Sequence, residues 1–333
     1  MIRHLLDVGC QVTLAGEGNV AALFEKEFPN TRIIPLQGYR ISYSRKGIFL
    51  VPRLLAQVPN IIRAIKNEHQ WLEQQHAIHN WDLIISDNRY GLYTKKARTV
   101  FISHQLGVIS GLGKWGDAIT RLLLYRWINR FDSCWIPDCP GNINVAGKLS
   151  HPPFMPKRHQ FIGPVSRLKN TGPSVGNHVL VLLSGPEPQR TLLENILIRQ
   201  MGHINEEVIF VRGLPAVAKP MQDRNNIHFE NHLDGDALSA MVSGAKAVVC
   251  RSGYSSVMDL LRLGKRALLI PTPGQTEQLY LARHLQKMKW FLVREQEKLD
   301  VKKDLGALMA VSFERPTLDF EAFKKAFAHL GIQ

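Results

Sequence analysis

An α/β fold built on parallel sheets is predicted by three observations. Short apolar runs alternate with longer helix-like stretches along the chain, the runs stop at small-residue or Pro-rich turns where a parallel strand would end, and the length and composition suit packed domains. At 333 residues, with 45% hydrophobic and 21% charged residues, the chain is long enough for two ordinary domains with full cores.

Candidate strands in the first half cover residues 11–15, 32–35, 82–86, 99–102 and 132–137, with long helical stretches between them, among them 53–75. The Gly- and Pro-containing segments 163–167 and 170–176 read as an interdomain linker. A second sheet begins at 179–183 and continues through 207–211, 227–230, 247–249, 267–270 and 291–294. A last helix is expected over 318–330. The domains expected are 1–165, 166–315, and a terminal helix within 316–333.

Composition narrows the function. The longest uncharged apolar runs fall short of the roughly 20 residues a bilayer span needs, and no secretory leader pattern opens the sequence, so a cytoplasmic location is expected. Cys10, Cys134, Cys139 and Cys250 have neither disulfide-framework nor zinc-knuckle spacing, and buried free thiols are expected. The formal charge of +14 calls for an anionic partner or surface. Residues 40–66 interleave Arg40, Arg45, Lys46, Arg53, Arg63 and Lys66 with apolar side chains and contain no acid. A second mixed segment runs from Lys114 and Trp115 through Arg121, Arg126 and Trp127 to Arg130. Such segments suit reversible docking on an anionic membrane surface, at about 1 kcal/mol per basic residue. An ordinary amphipathic core helix with a solvated basic edge gives the same pattern. No nucleic-acid-binding module is recognisable, and no nucleic-acid partner is expected.

The most informative stretch is Cys250, Arg251, Ser252, Gly253, Tyr254, Ser255 and Ser256, followed by Asp259, Pro271, Glu277 and Gln278. An apolar run ends in a small-residue turn and a helix begins there, offering amide groups to an anion at the carboxyl end of a parallel strand. That arrangement describes a nucleotide-diphosphate pocket. A second such turn follows 179–183: Ser184, Gly185, Pro186, Glu187, Pro188, Gln189 and Arg190. Gly185 lets the backbone approach a ligand, and Arg190 or a free amide can meet a diphosphate oxygen. A plain strand-to-helix turn explains the same residues.

In order and spacing, these residues resemble the donor half of the MurG-type glycosyltransferases, glycosyltransferase family 28, which carries a Cys-Arg-Ser-Gly turn, a carboxylate six residues beyond its Gly, a Pro after the next strand and a Gln-rich sugar-contacting stretch. The resemblance implies a GT-B fold, two Rossmann-like doubly wound domains facing a cleft, with the first binding the acceptor and the last helix returning to it. It implies that Asp259 accepts both ribose hydroxyls, that the main chain at Leu233 meets the uracil edge, and that Glu277 and Gln278 contact sugar hydroxyls. Asp259 is usually Glu in the family, and the residue matching Glu277 an amide. Asp234 and Asp236, after Leu233, read as helix N-capping acids rather than a metal motif. His69, His76 and His79 read as a solvated helix side.

In the first half, Asp87 and His104 follow consecutive strands and are the best candidate proton acceptors, although a turn Asp and a capping His account for them equally. Members of the family open with a strand and a Gly-rich loop, whereas this sequence begins within what corresponds to the following helix. The first sheet is therefore expected to lack a central strand, leaving its neighbours with unpaired backbone groups.

The expected reaction is inverting transfer of a hexose or N-acetylhexosamine from a UDP-sugar to a lipid-linked or other membrane-proximal glycan acceptor, without a cofactor or divalent metal. Helix N-termini, Arg251 and Arg167 would stabilise the departing diphosphate. The expected location is the cytoplasm, with peripheral attachment to the inner face of the cell membrane. Two alternatives are a UDP-sugar 2-epimerase and a catalytically inactive nucleotide-sugar-binding protein.

Overall fold

A computed structural model of the chain describes residues 1–39, 50–108, 113–169, 172, 176–314 and 316–332. Arg40, Arg45 and Lys46 lie outside the described residues, as does most of 170–175. The chain divides into two compact units, Met1–Gly9 with Leu36–Val165 and Asp319–Gln333, and Cys10–Pro35 with Ser166–Leu318. This differs from the division read from the sequence in placing residues 10–35 with the second unit.

The first unit is built on four strands, β3 (Leu83–Asp87), β4 (Arg98–Ile102), β5 (Ser133–Ile136) and β6 (His159–Phe161), all parallel in that order. The three-residue β6 was not expected, because His159, Gln160 and Phe161 carry no apolar run. Side chains alternate across the sheet. Val100 and Ile102 pack with Trp135, Ile162 and the aromatic face of α10 (Phe323–His329), where Phe323 and Phe327 sit. Met1 and Leu5, at the start of helix α1 (Ile2–Asp7), join that layer. On the other face, Phe101, Cys134 and Ile136 pack with Phe131 and with Tyr125 and Ile128 of α4 (Gly113–Ile128). The long helix α3 (Leu50–His79) includes Pro59.

The second unit carries a six-stranded parallel sheet made of β7 (Val179–Leu182), β8 (Val208–Val211), β9 (Ile227–Glu230), β10 (Ala247–Cys250), β11 (Ala267–Leu269) and β12 (Leu292–Val293), in the order β12-β11-β10-β7-β8-β9. From β7 the chain passes through α5 (Gln189–Met201) to β8 on one side, and from β10 through α7 (Tyr254–Arg262) to β11 on the other. The strand order therefore reverses between β7 and β10, which pair directly. The central strands β7 and β10 are continuously apolar, Val179 to Val181 and all of β10 being buried, as sheets covered on both faces require, whereas the edge strand β9 alternates Ile227 and Phe229 with His228 and Glu230. Helices α6 (Gly235–Gly244), α8 (Thr276–Lys287) and α9 (Val301–Ala310) complete the layers.

A separate two-stranded parallel sheet, β1 (Thr13–Gly16) with β2 (Arg32–Pro35), is joined by α2 (Asn19–Glu27). Among the described residues β1 and β3 pair with no strand other than β2 and β4 respectively. Among the described residues no helix is long and apolar enough to cross a membrane.

Candidate functional site

The reversal between β7 and β10 places two strand-to-helix turns side by side at the carboxyl ends of adjacent strands. Open α/β sheets bind ligands at such a switch point. Gly253 is the N-cap of α7, with φ −74° and no side-chain cap. A Cβ built there meets nothing within 4 Å, so the space before the helix is open. The helix geometry leaves the first amides of α7, those of Ser255 and Ser256 among them, without intrahelical acceptors. Ser255 is exposed and Ser256 half-buried, so solvent reaches this end of the helix.

At the neighbouring turn Gly185 has φ +100°, a backbone setting that side chains other than glycine rarely take, and a Cβ there likewise meets nothing within 4 Å. Helix α5 has no capping side chain at its N-cap residue, Pro188. Glu187 serves instead: its Oε2 accepts from the Thr191 amide at 3.2 Å and its Oε1 from Arg190 Nε at 2.6 Å. Arg190 is buried, with Nη2 donating to Thr191 Oγ1 at 2.7 Å and Nη1 3.3 Å from Glu194 Oε2. Its Nη1 and the Oε1 of Gln189 are buried and make no hydrogen bond. Two of the three guanidinium nitrogens expected to face a diphosphate are thus committed within the turn.

Sequence reading missed the support beneath this turn. Glu194 receives a two-pronged pair from Arg212, Nε to Oε1 at 2.6 Å and Nη2 to Oε2 at 3.2 Å, and Arg212 also donates to Asn231 Oδ1 at 3.0 Å. This pins α5 to the end of β8 and to the segment after β9. A bidentate Arg–carboxylate geometry is the strong form of such a pair. An acid on a helix and an Arg just after a strand give no sequence signal of their meeting.

Arg251 corrects the sequence expectation. Its guanidinium is buried, donating to Ile270 O at 3.4 Å, Pro271 O at 3.3 Å, Gln189 O at 2.8 Å and Gln296 Oε1 at 2.8 Å. Burial pulls its pKa down to about 10, opposed by Glu297. Arg251 therefore ties the end of β10 to the turn after β11 and to the first residue of α5, and it does not present its charge to a ligand. Ser252 is buried too and donates to Gln278 O at 3.0 Å. The Gln278 side chain closes its own turn, accepting from the Thr272 amide at 2.9 Å and donating to Gln275 Oε1 at 2.7 Å. Glu277 stands half-buried in the first turn of α8.

Asp259, in the middle of α7, is buried and faces the start of the linker segment. Its Oδ1 accepts from Ser166 Oγ at 2.6 Å and from the Arg167 amide at 3.3 Å, while Arg167 Nε lies 3.4 Å from Oδ2. Burial raises the carboxyl, and the Ser166 hydroxyl and the Arg167 charge work against that shift. Arg167 is exposed, which makes it the cation at this turn open to solvent, where Arg251 is not. Leu233 lies half-buried between β9 and α6. Beside it Asp234 caps α6, accepting from Asp236 and Ala237 amides at 3.1 and 2.8 Å. His232 was not singled out in sequence. Burial lowers its pKa, helped by Lys26 and Arg167 and opposed by Glu27 and Asp234.

In the first unit, Asp87 and His104 follow paired strands, and the Asn88 amide donates to Ile102 O at 3.0 Å. Asp87 keeps an exposed side chain, while protein on its other sides raises its carboxyl by desolvation and His104 pulls it back. The loop after Asp87 hangs on Glu68 of α3, a buried carboxylate missed in sequence. Glu68 accepts from Tyr39 Oη at 2.5 Å, from Arg89 Nε and from the Gly91 amide at 3.0 Å. It is one of two acids, with Glu73, in a helix whose first eighteen residues carry none, and that was the available signal. His69 stacks on Tyr93, with ring centroids 4.2 Å apart, and His76 and His79 lie against Trp81.

In sequence and in fold the chain is similar to known proteins. Residues 205–326 match the Glycosyltransferase family 28 C-terminal domain. The UDP-N-acetylglucosamine--N-acetylmuramyl-(pentapeptide) pyrophosphoryl-undecaprenol N-acetylglucosamine transferase of Buchnera aphidicola (subsp. Acyrthosiphon pisum, strain 5A) is 23% identical over 99% of this chain and 88% of its own. The enzyme of that name from Nitratidesulfovibrio vulgaris is 33% identical over 29% of this chain and 25% of its own. Among solved structures, the kitacinnamycin glycotransferase has a TM-score of 0.62 at 13% identity, covering 93% of this chain and 85% of that one. Acinetobacter baumannii MurG has a TM-score of 0.51 at 14% identity, covering 98% and 92%. The fold is that of the GT-B glycosyltransferases. The match to the family 28 C-terminal domain makes the chain a glycosyltransferase, similar in sequence and fold to the MurG-type enzymes.

Proposed function

We propose that the chain transfers N-acetylglucosamine, or a closely related hexose or N-acetylhexosamine, from its UDP conjugate to a hydroxyl of a lipid-linked acceptor, with inversion at the anomeric carbon and no metal ion. The carrying observation is the switch point. Adjacent strands β7 and β10 end in turns whose helices, α5 and α7, start with no capping side chain on the N-cap residue, beside open space at Gly185 and Gly253. The start of α7 offers about half a positive charge and preorganised amides, which bind a diphosphate and stabilise it further as it leaves, while at α5, where Glu187 takes the Thr191 amide and Pro186 O the Arg190 amide, the open backbone at Gly185 lines the neighbouring turn. The buried Gln189 Oε1 at the first turn makes no hydrogen bond among the described residues, a polar atom that a ligand hydroxyl would satisfy.

In this reading Asp259 takes the ribose hydroxyls, the main chain at Leu233 meets the base, and Arg167 supplies the guanidinium charge that Arg251 cannot. Glu277 and the backbone around Gln278 face the sugar. The first unit binds the acceptor, and His104 or Asp87 removes the hydroxyl proton as the acceptor oxygen bonds to the anomeric carbon. The bond from that carbon to the diphosphate oxygen breaks, and UDP leaves with the electron pair.

A membrane-borne acceptor is supported by α4. Trp115, Ile119, Leu122 and Leu123 recur at helical spacing on one exposed face, Trp115 being 86% and Leu122 73% exposed. Exposed Phe154 lies close by, its carbonyl accepting from Tyr125 Oη at 2.9 Å. Exposed Arg126 and Arg130 flank this face, and the chain as a whole carries +14. Apolar side chains at headgroup depth with basic neighbours suit an anionic bilayer, which supports peripheral attachment at the cytoplasmic face.

Incubation with UDP-N-acetylglucosamine and N-acetylmuramyl-(pentapeptide) pyrophosphoryl-undecaprenol in EDTA tests the proposal. UDP release with a β-linked product from the α-linked donor is expected. Turnover that requires added divalent metal, or a product of retained configuration, would contradict it.

A further inference from the structure

The turn bearing Gly185 and the segment bearing Leu233 follow strands that do not touch. β7 and β9 lie on either side of β8, and two strand spacings put them about 10 Å apart. A ladder of polar side chains crosses that interval at the carboxyl edge of the sheet. Glu187 accepts from Arg190 Nε at 2.6 Å, and Arg190 Nη1 lies 3.3 Å from Glu194 Oε2. Glu194 takes both prongs of Arg212, at 2.6 and 3.2 Å, and Arg212 Nη1 reaches Asn231 Oδ1 at 3.0 Å. Arg212 is the first residue after β8 and Asn231 the first after β9. The central strand therefore supplies the rung that joins its two neighbours.

The far end of the ladder is clamped on both sides of Leu233. Asn231 is buried, and its Nδ2 donates to Val217 O at 2.9 Å and to Lys219 O at 2.7 Å. Asp234 is held by capping α6. His232 and Leu233 are the two residues left between these anchors, and Leu233 is the one whose main chain is proposed to meet the base. Where that main chain stands relative to the diphosphate turns is thus set by what holds Asn231.

Stability alone does not call for this ladder. Burying ion pairs costs desolvation, and packed apolar side chains of similar volume commonly hold a fold as well or better. What a fork between two planar groups adds is a fixed distance and angle. We infer that Arg212 is a positioning residue of the donor site: touching no ligand itself, it sets the spacing between the diphosphate turns and the segment that meets the base, so that one UDP molecule engages both. The inference rests on the donor-site reading and deepens it. A ligand that spans two contact points gains from their fixed spacing and loses that gain when the spacing drifts, whereas a ligand that reaches one of them is indifferent.

Two variants and two ligands test it. Arg212→Lys is the decisive variant, because it keeps a cation for Glu194, and with it the fold, but lacks the fork that reaches Asn231 at the same time. Arg212→Met removes both contacts. UDP spans the base segment and the phosphate turns, while pyrophosphate meets the amides at the start of α7 alone. Calorimetry is carried out below the melting temperature of each protein. Arg212→Lys is expected to bind UDP about tenfold more weakly than wild type, and Arg212→Met at least as weakly, with pyrophosphate affinity within twofold of wild type in both. UDP affinity within twofold of wild type in Arg212→Lys overturns the positioning role and leaves the donor site standing. Equal losses for UDP and pyrophosphate overturn it too, since they mark a general loosening of the unit. Wild type that binds no UDP overturns the donor-site reading, and the role of Arg212 falls with it.

Discussion

Ser166 donates a 2.6 Å hydrogen bond to Asp259, so the carboxylate proposed to hold ribose already holds a residue of the linker segment 163–167. Two hydroxyls of a ribose have to share or displace that contact. Asp259→Ala is expected to weaken UDP binding by tenfold or more, about 1.4 kcal/mol. Ser166→Ala should leave affinity unchanged or tighten it, because it frees Oδ1. Titration calorimetry separates the two outcomes, and equal losses in both variants would assign Asp259 to linker packing alone.

The same burial has a stability consequence of known sign. Asp259 has a raised pKa, so the fold holds its proton more tightly than the unfolded chain does, and the ionised form costs stability at neutral pH. Asp259→Asn is therefore expected to unfold at an equal or higher temperature at pH 7. Its advantage should shrink as pH falls through the raised folded value, and vanish below the ordinary carboxylate range. Melting curves of the two proteins across that pH range check the sign.

Arg251 carries the opposite expectation. Replacing it with Met strands the carbonyls of Gln189, Ile270 and Pro271, and buried acceptors left without donors cost about 1–3 kcal/mol each. Denaturant unfolding of Arg251→Met should show a loss of about 3 kcal/mol or more. A variant with wild-type stability and weakened UDP binding would restore the ligand-facing role.

The exposed face of α4 gives a surface prediction. Leu122→Glu and Trp115→Ala remove apolar area that packs on nothing in the fold, so the melting temperature should hold. Sedimentation with anionic vesicles should fall severalfold and should weaken with salt in the wild type. Unaltered sedimentation would reject docking through this face.

Much of the fold was legible because buried parallel strands announce themselves. The runs at 179–183, 247–250 and 267–270 are continuous apolar segments ended by turn residues, and the structure places strands on all three. β6 was not, since three residues containing His and Gln carry no such signal. The site divided along the same line. Backbone features such as the turns at Gly185 and Gly253 follow from local residue types and were readable. Side-chain orientation was not: Arg251 turns inward because four acceptors from distant segments converge on it, and Glu68, Glu194 and Arg212 act through partners that spacing along the chain does not reveal.

Gly253 offers the most direct test of the claim that a diphosphate rests on the start of α7. Its φ of −74° suits any residue and its Cβ direction is open, so Gly253→Asp fits the fold and supplies the missing cap, adding a few tenths of a kcal/mol of stability. The new carboxylate would stand where the phosphates bind. Calorimetry with UDP is expected to show affinity reduced at least a hundredfold in a protein that melts no lower than wild type. UDP binding unchanged in Gly253→Asp would contradict the account at its centre.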